Sequence, residues 1–168
     1  LVAAVRAAGH RTVPVPGASS VLAALCVAGD TGADGFAFIG FLPAKAGERA
    51  QALAALPDRR REALVLFEAP HRIAALLDAL AAAMPARRVT IGRELTKQFE
   101  TVATFDAAQA PAWLAADANR SRGEFVLVLH AAPARAADSD AQQTAIERTL
   151  RTLLAELPLK QAVALAAT

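Results

Sequence analysis

Cysteine is nearly absent: Cys26 is the only one in the chain, which excludes a disulfide framework within it. It lies inside LAALCVAG and reads as a buried, reduced thiol. Histidine is also scarce. His10, His71 and His130 fall on separate elements, with no second His or Cys at ligand spacing, so no metal site is expected. No apolar run approaches the roughly 18–20 residues of a spanning helix, and no charged segment leading into an apolar one opens the chain. No membrane partner is therefore expected, and the expected location is the cytoplasm. A strong charge imbalance is missing too, because the formal net charge is only +2. There is no internal repeat.

What is present is a chain of 168 residues, 55% hydrophobic and 20% charged, the balance of a soluble globular protein. It is long enough for one full domain with a real core, or for one domain with a small appendage. Basic residues cluster at Arg59–Arg61, at Arg87 and Arg88, and at Arg120 and Arg122. Such clusters are either solvated surface or phosphate contacts. The chain begins at Leu1 inside the amphipathic stretch LVAAVRAAGH and ends in QAVALAAT, so both ends are expected to continue into further protein.

Apolar periodicity and breaker residues predict an alternation of helices and strands. A helix over residues 1–8 precedes RTVPVP, a short edge strand in which Pro14 and Pro16 lack ladder donors. PGASS turns into a helix that Ser19 or Ser20 can cap. FAFIGFL is a strand over 36–42, and a helix follows over 48–56. ALVLF is a buried strand, and PHRIAALLDALAAAM a helix with Pro70 in its first turn. RRVTIG, FETVATFD and GEFVLVL are further strands, the second half-solvated and antiparallel. The expected fold class is α/β, a mixed sheet of about five strands flanked by helices, with a small helical carboxyl-terminal extension.

In such sheets ligands gather where strands end and helices begin. Four junctions carry unusual chemistry: PGASS at 16–20, FEAPHR at 67–72, RELTK at 93–97 and RGEF at 122–125. PGASS reads as a plain turn and cap, or as N–H groups with the Ser19 and Ser20 hydroxyls facing a polar ligand. His71 reads as a capping residue, a substrate contact or a general base. Glu68 and Glu94 read either as catalytic carboxylates or as halves of ion pairs with Arg72 and Arg93. Lys45 and Arg49 belong to a basic loop, solvated on one reading and gripping phosphate on the other. Asn119–Ser121 matches a glycosylation sequon by chance.

Taken in order, VPVPGASSVLAAL, FIGFLPAKAGERAQAL, LVLFEAPHRIAALLDAL, RRVTIGRELTKQFE and GEFVLVL resemble the 16S rRNA 2′-O-ribose methyltransferases of the tetrapyrrole methylase superfamily. The resemblance runs over residues 13–129. It implies a two-domain enzyme that binds S-adenosylmethionine between its domains and methylates a cytidine of 16S rRNA in the small ribosomal subunit, as a homodimer without metal. This chain resembles the second domain, over 1–132, with 1–12 as the tail of a preceding domain, 133–141 as a linker and 142–168 as the start of a helical appendage. The SDAGTP-type segment of that preceding domain is not in this sequence, so the chain alone is expected to be inactive.

By position, the resemblance places Ser19 and Ser20 beside the cofactor, together with Phe67, Glu68 and Ala69, with Glu94, Leu95 and Thr96, and with Gly123, Glu124 and Phe125. Glu68, His71, Glu94 and Lys97 are the candidate bases for a ribose hydroxyl. Lys45, Arg49, Arg72, Arg93 and Lys97 are the candidates for RNA phosphates. Two alternatives remain: a methyltransferase for corrin precursors, and a non-catalytic dimerising domain.

Overall fold

The computed structural model describes residues 1–56 and 61–132, with a few positions further on (147, 148, 151, 152, 154 and 161). The chain divides into two compact units, Leu1–Ala132 and Pro133–Thr168, and every described strand lies in the first. The linker and the appendage expected from sequence fall almost wholly outside the described residues, as do Arg59 and Arg60.

Helix α1 spans Val2–Ala7 and α2 Ser20–Ala28; strand β1 spans Gly35–Gly40, α3 Ala46–Ala55 and β2 Glu62–Glu68. Then come α4 at Ile73–Ala83, β3 at Arg88–Arg93, β4 at Thr101–Asp106, α5 at Ala110–Ala115 and β5 at Phe125–Leu129. The five strands form one mixed sheet in the order β1-β2-β5-β3-β4. β1 and β2 are parallel, and every other pairing is antiparallel. This is the expected mixed five-stranded α/β sheet, and β4 is antiparallel and half-exposed, as its alternation predicts.

β5 is buried along its whole length because it lies in the middle of the sheet with helices on both faces, which is why its sequence is an unbroken FVLVL. On one face, Leu64, Leu66, Ile91, Leu127 and Leu129 pack beneath α4, whose Ile73, Leu76, Leu77 and Leu80 are fully buried at helical spacing. Each such side chain contributes about 1.5–3 kcal/mol of transfer free energy. On the other face, Val65, Val126 and Val128 pack with Ala24 and Ala28 of α2.

The register positions the site. Phe125, the first residue of β5, pairs with Glu68 at the end of β2 and with Arg93 at the end of β3. Three of the polar junctions therefore meet at one end of the three central strands.

Three local expectations are corrected. RTVPVP forms no strand; residues 10–18 are exposed, and Pro14 and Pro16 leave too few donors for a ladder. Pro70 lies before α4, in a turn closed by the Arg72 N–H on the Ala69 carbonyl at 2.9 Å, and the helix starts at Ile73. Cys26 is exposed, because α2 turns Val21, Ala24, Leu25 and Ala28 inward and Cys26 falls on the opposite side.

Candidate functional site

This end of the central strands holds a cavity of about 350 Å³ lined by Ser20, Phe41, Phe67, Glu68, Ala69, Pro70, Glu124, Phe125 and Val126. Six of its residues are ones that the sequence pointed to. The two serines divide their work. Ser19 is the N-cap of α2, its hydroxyl accepting from the Leu22 N–H at 3.4 Å, and Ser20, one residue on, lines the cavity. Three aromatic residues, Phe41, Phe67 and Phe125, supply apolar wall, and Phe41 packs edge-on against Phe67 with centroids 5.8 Å apart.

Glu68 is buried at the wall of this cavity. Its Oε1 accepts from the Ala69 N–H at 2.9 Å and lies 3.1 Å from Arg72 Nε, while its buried Oε2 has no hydrogen-bond partner among the described residues. Arg72 also donates from Nη2 to the Leu42 carbonyl at 2.5 Å. It thereby ties the loop carrying Phe41 to the end of β2. Of the two readings of Glu68 and Arg72, the geometry shows the ion pair. His71 is exposed on the turn before α4 and does not line the cavity.

The RELTK turn is held by a dense set of hydrogen bonds. Glu94 and Thr96 have positive φ, at 51° and 65°, which non-glycine residues rarely adopt. Glu94 donates its N–H to the Glu124 carbonyl at 2.9 Å, and its Oε1 accepts from the Glu124 N–H at 2.8 Å and from Lys97 Nζ at 3.0 Å. Lys97 also reaches Glu124 Oε2 at 2.8 Å. Leu95 packs onto the α2 face of the sheet, and Thr96 donates its N–H to Glu100 at 2.6 Å. The Glu124 N–H and then the Lys97 ammonium hold the Glu94 carboxyl below its ordinary range, and Glu124 and then Glu94 hold the Lys97 ammonium above its own. Both shifts favour the charged forms, which makes each a poor proton acceptor near neutrality.

A second, larger cavity of about 730 Å³ adjoins this turn, and Glu94 and Gly123 line it. Of the predicted cofactor residues, then, Ser20, Phe67, Glu68, Ala69, Glu124 and Phe125 line one cavity, Glu94 and Gly123 line the other, and Ser19, Leu95 and Thr96 line neither.

The predicted phosphate contacts fare unevenly. Lys45 is exposed and paired with Glu48 at 3.0 Å. Arg49 is buried, with Nη1 on the Ala44 carbonyl at 3.0 Å, so it does not project into solvent as the sequence reading had it. Arg93 is spent on the carbonyls of Arg122 and Phe99, at 2.7 and 3.0 Å. Arg87 is buried against the His130 carbonyl, Arg61 pairs with Asp34, and Arg120 donates to the Trp113 carbonyl at 2.7 Å. Sequence reasoning missed Phe41 and Phe99, whose exposure follows from where their turns sit, and Gln98, whose place beside the larger cavity depends on the folded turn.

Residues 1–111 match the family model described as Tetrapyrrole (Corrin/Porphyrin) Methylases. The chain belongs to the tetrapyrrole methylase family. Residues 140–168 match a model described as the RsmI C-terminal HTH domain. Among its relatives, "Ribosomal RNA small subunit methyltransferase I" of Neisseria meningitidis serogroup B is 46% identical over 163 residues, covering 97% of this chain and 55% of that protein. The protein of the same name from Pseudomonas aeruginosa is 43% identical over 171 residues, covering 99% and 58%. The chain thus spans somewhat over half the length of the curated relatives it matches. Its fold is similar to that of the methyltransferase CobJ, at TM-score 0.55 and 18% identity over 80% of this chain and 58% of that one. It is also similar to a uroporphyrin-III-C-methyltransferase from Thermus thermophilus, at TM-score 0.51 and 22% identity over 77% and 55%.

Proposed function

We propose that this chain is the second-domain part of an S-adenosylmethionine-dependent methyltransferase that modifies a ribose 2′-hydroxyl of a cytidine in 16S rRNA. The observation that carries the reading is the 46% identity, over nearly the whole chain, to a relative named as a small-subunit ribosomal RNA methyltransferase. The cavity fits the cofactor's chemistry. Its volume suits a small-molecule site, Phe41 and Phe67 offer apolar faces to a purine, and Ser20 and Glu124 offer polar groups to a ribose or an ammonium. The partners on this reading are 16S rRNA in the small ribosomal subunit and a second copy of the protein, in the cytoplasm. Among the described residues no helix is long and apolar enough to cross a membrane.

When bound, S-adenosylmethionine supplies a methyl group on a sulfonium, already activated for displacement. What this chain contributes is position. Arg72, paired with the buried Glu68, ties the Phe41 loop to the end of β2 through the Leu42 carbonyl. The Glu94–Lys97–Glu124 network ties the RELTK turn to the start of β5, where Phe125 pairs with Glu68 and Arg93. Glu94 and Lys97 act in this reading as positioning residues rather than as the base.

The test is transfer of labelled methyl by the full-length protein to isolated 30S subunits, with a uroporphyrinogen offered in parallel. Label in the RNA is expected. Label only in the tetrapyrrole would select the corrin-type alternative, and no transfer to either would refute the assignment.

A further inference from the structure

The larger cavity carries groups that the proposed function leaves without a role. Phe99 stands at its edge 67% exposed, with no ring contact among the described residues. Its backbone is nevertheless clamped, because Arg93 Nη1 binds the Phe99 carbonyl at 3.0 Å and the Thr96 N–H binds Glu100 at 2.6 Å. A large aromatic ring held out into water on a rigid turn gains nothing for folding. It is presented.

The chemistry around it is of a matching kind. Arg122 lines the same cavity, and among the described residues its guanidinium has no hydrogen bond or ion pair, whereas Arg93 and Arg120 are committed to backbone carbonyls. The side-chain amides of Gln98 and Asn119 are also uncommitted among the described residues, and each offers both donors and an acceptor. The carboxylates present are occupied: Glu94 by Lys97 and the Glu124 N–H, and Glu100 by the Thr96 N–H. One exposed ring, one free guanidinium and two free amides match a base, a phosphate and a base edge. An anionic tetrapyrrole bears several carboxylates and would need more than one uncommitted cation.

The place is also right for a methyl acceptor. Gly123 lines this groove and Glu124, the next residue, lines the smaller cavity.

We propose that this groove takes one unpaired nucleotide of the RNA substrate, its base stacked on Phe99 and its phosphate at Arg122. The inference rests on the RNA reading of the function and adds a site to it.

The test is fluorescence anisotropy of the full-length protein with a labelled single-stranded RNA and with the same sequence as a duplex. Phe99→Ala should weaken single-strand binding about 5- to 140-fold, the range for removing one stacking ring. Phe99→Trp should keep it, and neither should alter duplex binding. Arg122→Ala should lower the slope of log affinity against log salt by about one. Circular dichroism melts establish that each variant folds, as expected for an exposed ring. Single-strand binding of Phe99→Ala within about two-fold of wild type, outside the stacking range, would overturn the proposal, as would equal losses for Ala and Trp. RNA methylation with normal Phe99→Ala binding sinks the groove alone; wild-type protein that neither binds nor methylates RNA sinks the functional reading beneath it.

Discussion

Gly92→Ala tests how the RELTK turn is built. A Cβ at Gly92 would lie 2.8 Å from Leu95 Cδ1, 2.9 Å from Cγ and 3.0 Å from Cδ2. Rotation about χ2 moves only the Cδ atoms, so it cannot clear the contact at Cγ; the side chain must change χ1 or the turn must lift. Overpacking of this kind costs about 1–3 kcal/mol. No backbone strain adds to it, because Gly92, unlike Gly123, does not lie at positive φ. Leu95→Ala removes the obstacle. In that background Gly92→Ala should cost almost nothing, or gain about 0.5–1 kcal/mol from the lower entropy of the unfolded chain. Urea unfolding of the four proteins of the cycle gives the coupling, expected at about 1–3 kcal/mol. Additive effects, within about 0.3–0.5 kcal/mol, would refute the account of the turn as folded onto Gly92.

Other perturbations separate the remaining parts. Gly123→Ala should destabilise more than Gly29→Ala: both have positive φ, at 92° and 64°, but only the first puts a Cβ 2.5 Å from Glu94 Cγ, and the strain alone is about 1–2 kcal/mol. Arg72→Ala, which leaves the Glu68 carboxylate buried without its cation, should cost about 3 kcal/mol in chemical denaturation, and joint replacement by Glu68→Leu and Arg72→Met should recover most of it. His130 is buried with Nε2 2.7 Å from the Thr90 hydroxyl, and burial lowers its pKa from the ordinary 6.5. The unfolded chain therefore binds the proton first, and stability should fall as pH drops from about 6.5 toward the folded pKa; His130→Gln should flatten that part of the profile. Exposed Cys26 should react with a thiol reagent in the native state, and protection until unfolding would contradict its placement on the outer side of α2.

The strands and the polar junctions were legible because alternation and breakers are local signals. ALVLF and FVLVL are unbroken apolar runs because helices cover both faces of β2 and β5. What was not legible depends on contacts distant in sequence. Nothing near Arg93 indicates that the Arg122 carbonyl will occupy it, and nothing near Arg49 indicates burial. Arg49 reads in the sequence as a loop cation and Arg93 as a phosphate contact or the partner of Glu94, whereas in the fold both are committed to backbone carbonyls. The difference between Ser19 and Ser20 hinged on which residue caps α2, a one-residue question that periodicity does not resolve. Cys26 was misplaced because an alanine-rich helix gives a weak apolar stripe, so its inward side could not be read from LAALCVAG alone.

The central claim is that the methyl group goes to a ribose oxygen of RNA. A 2′-O-methyl group removes the nucleophile of alkaline cleavage, so 16S rRNA treated with the full-length protein and S-adenosylmethionine should gain one linkage that resists alkali, on the 3′ side of a cytidine. Methylated rRNA whose every linkage remains alkali-sensitive would contradict the account.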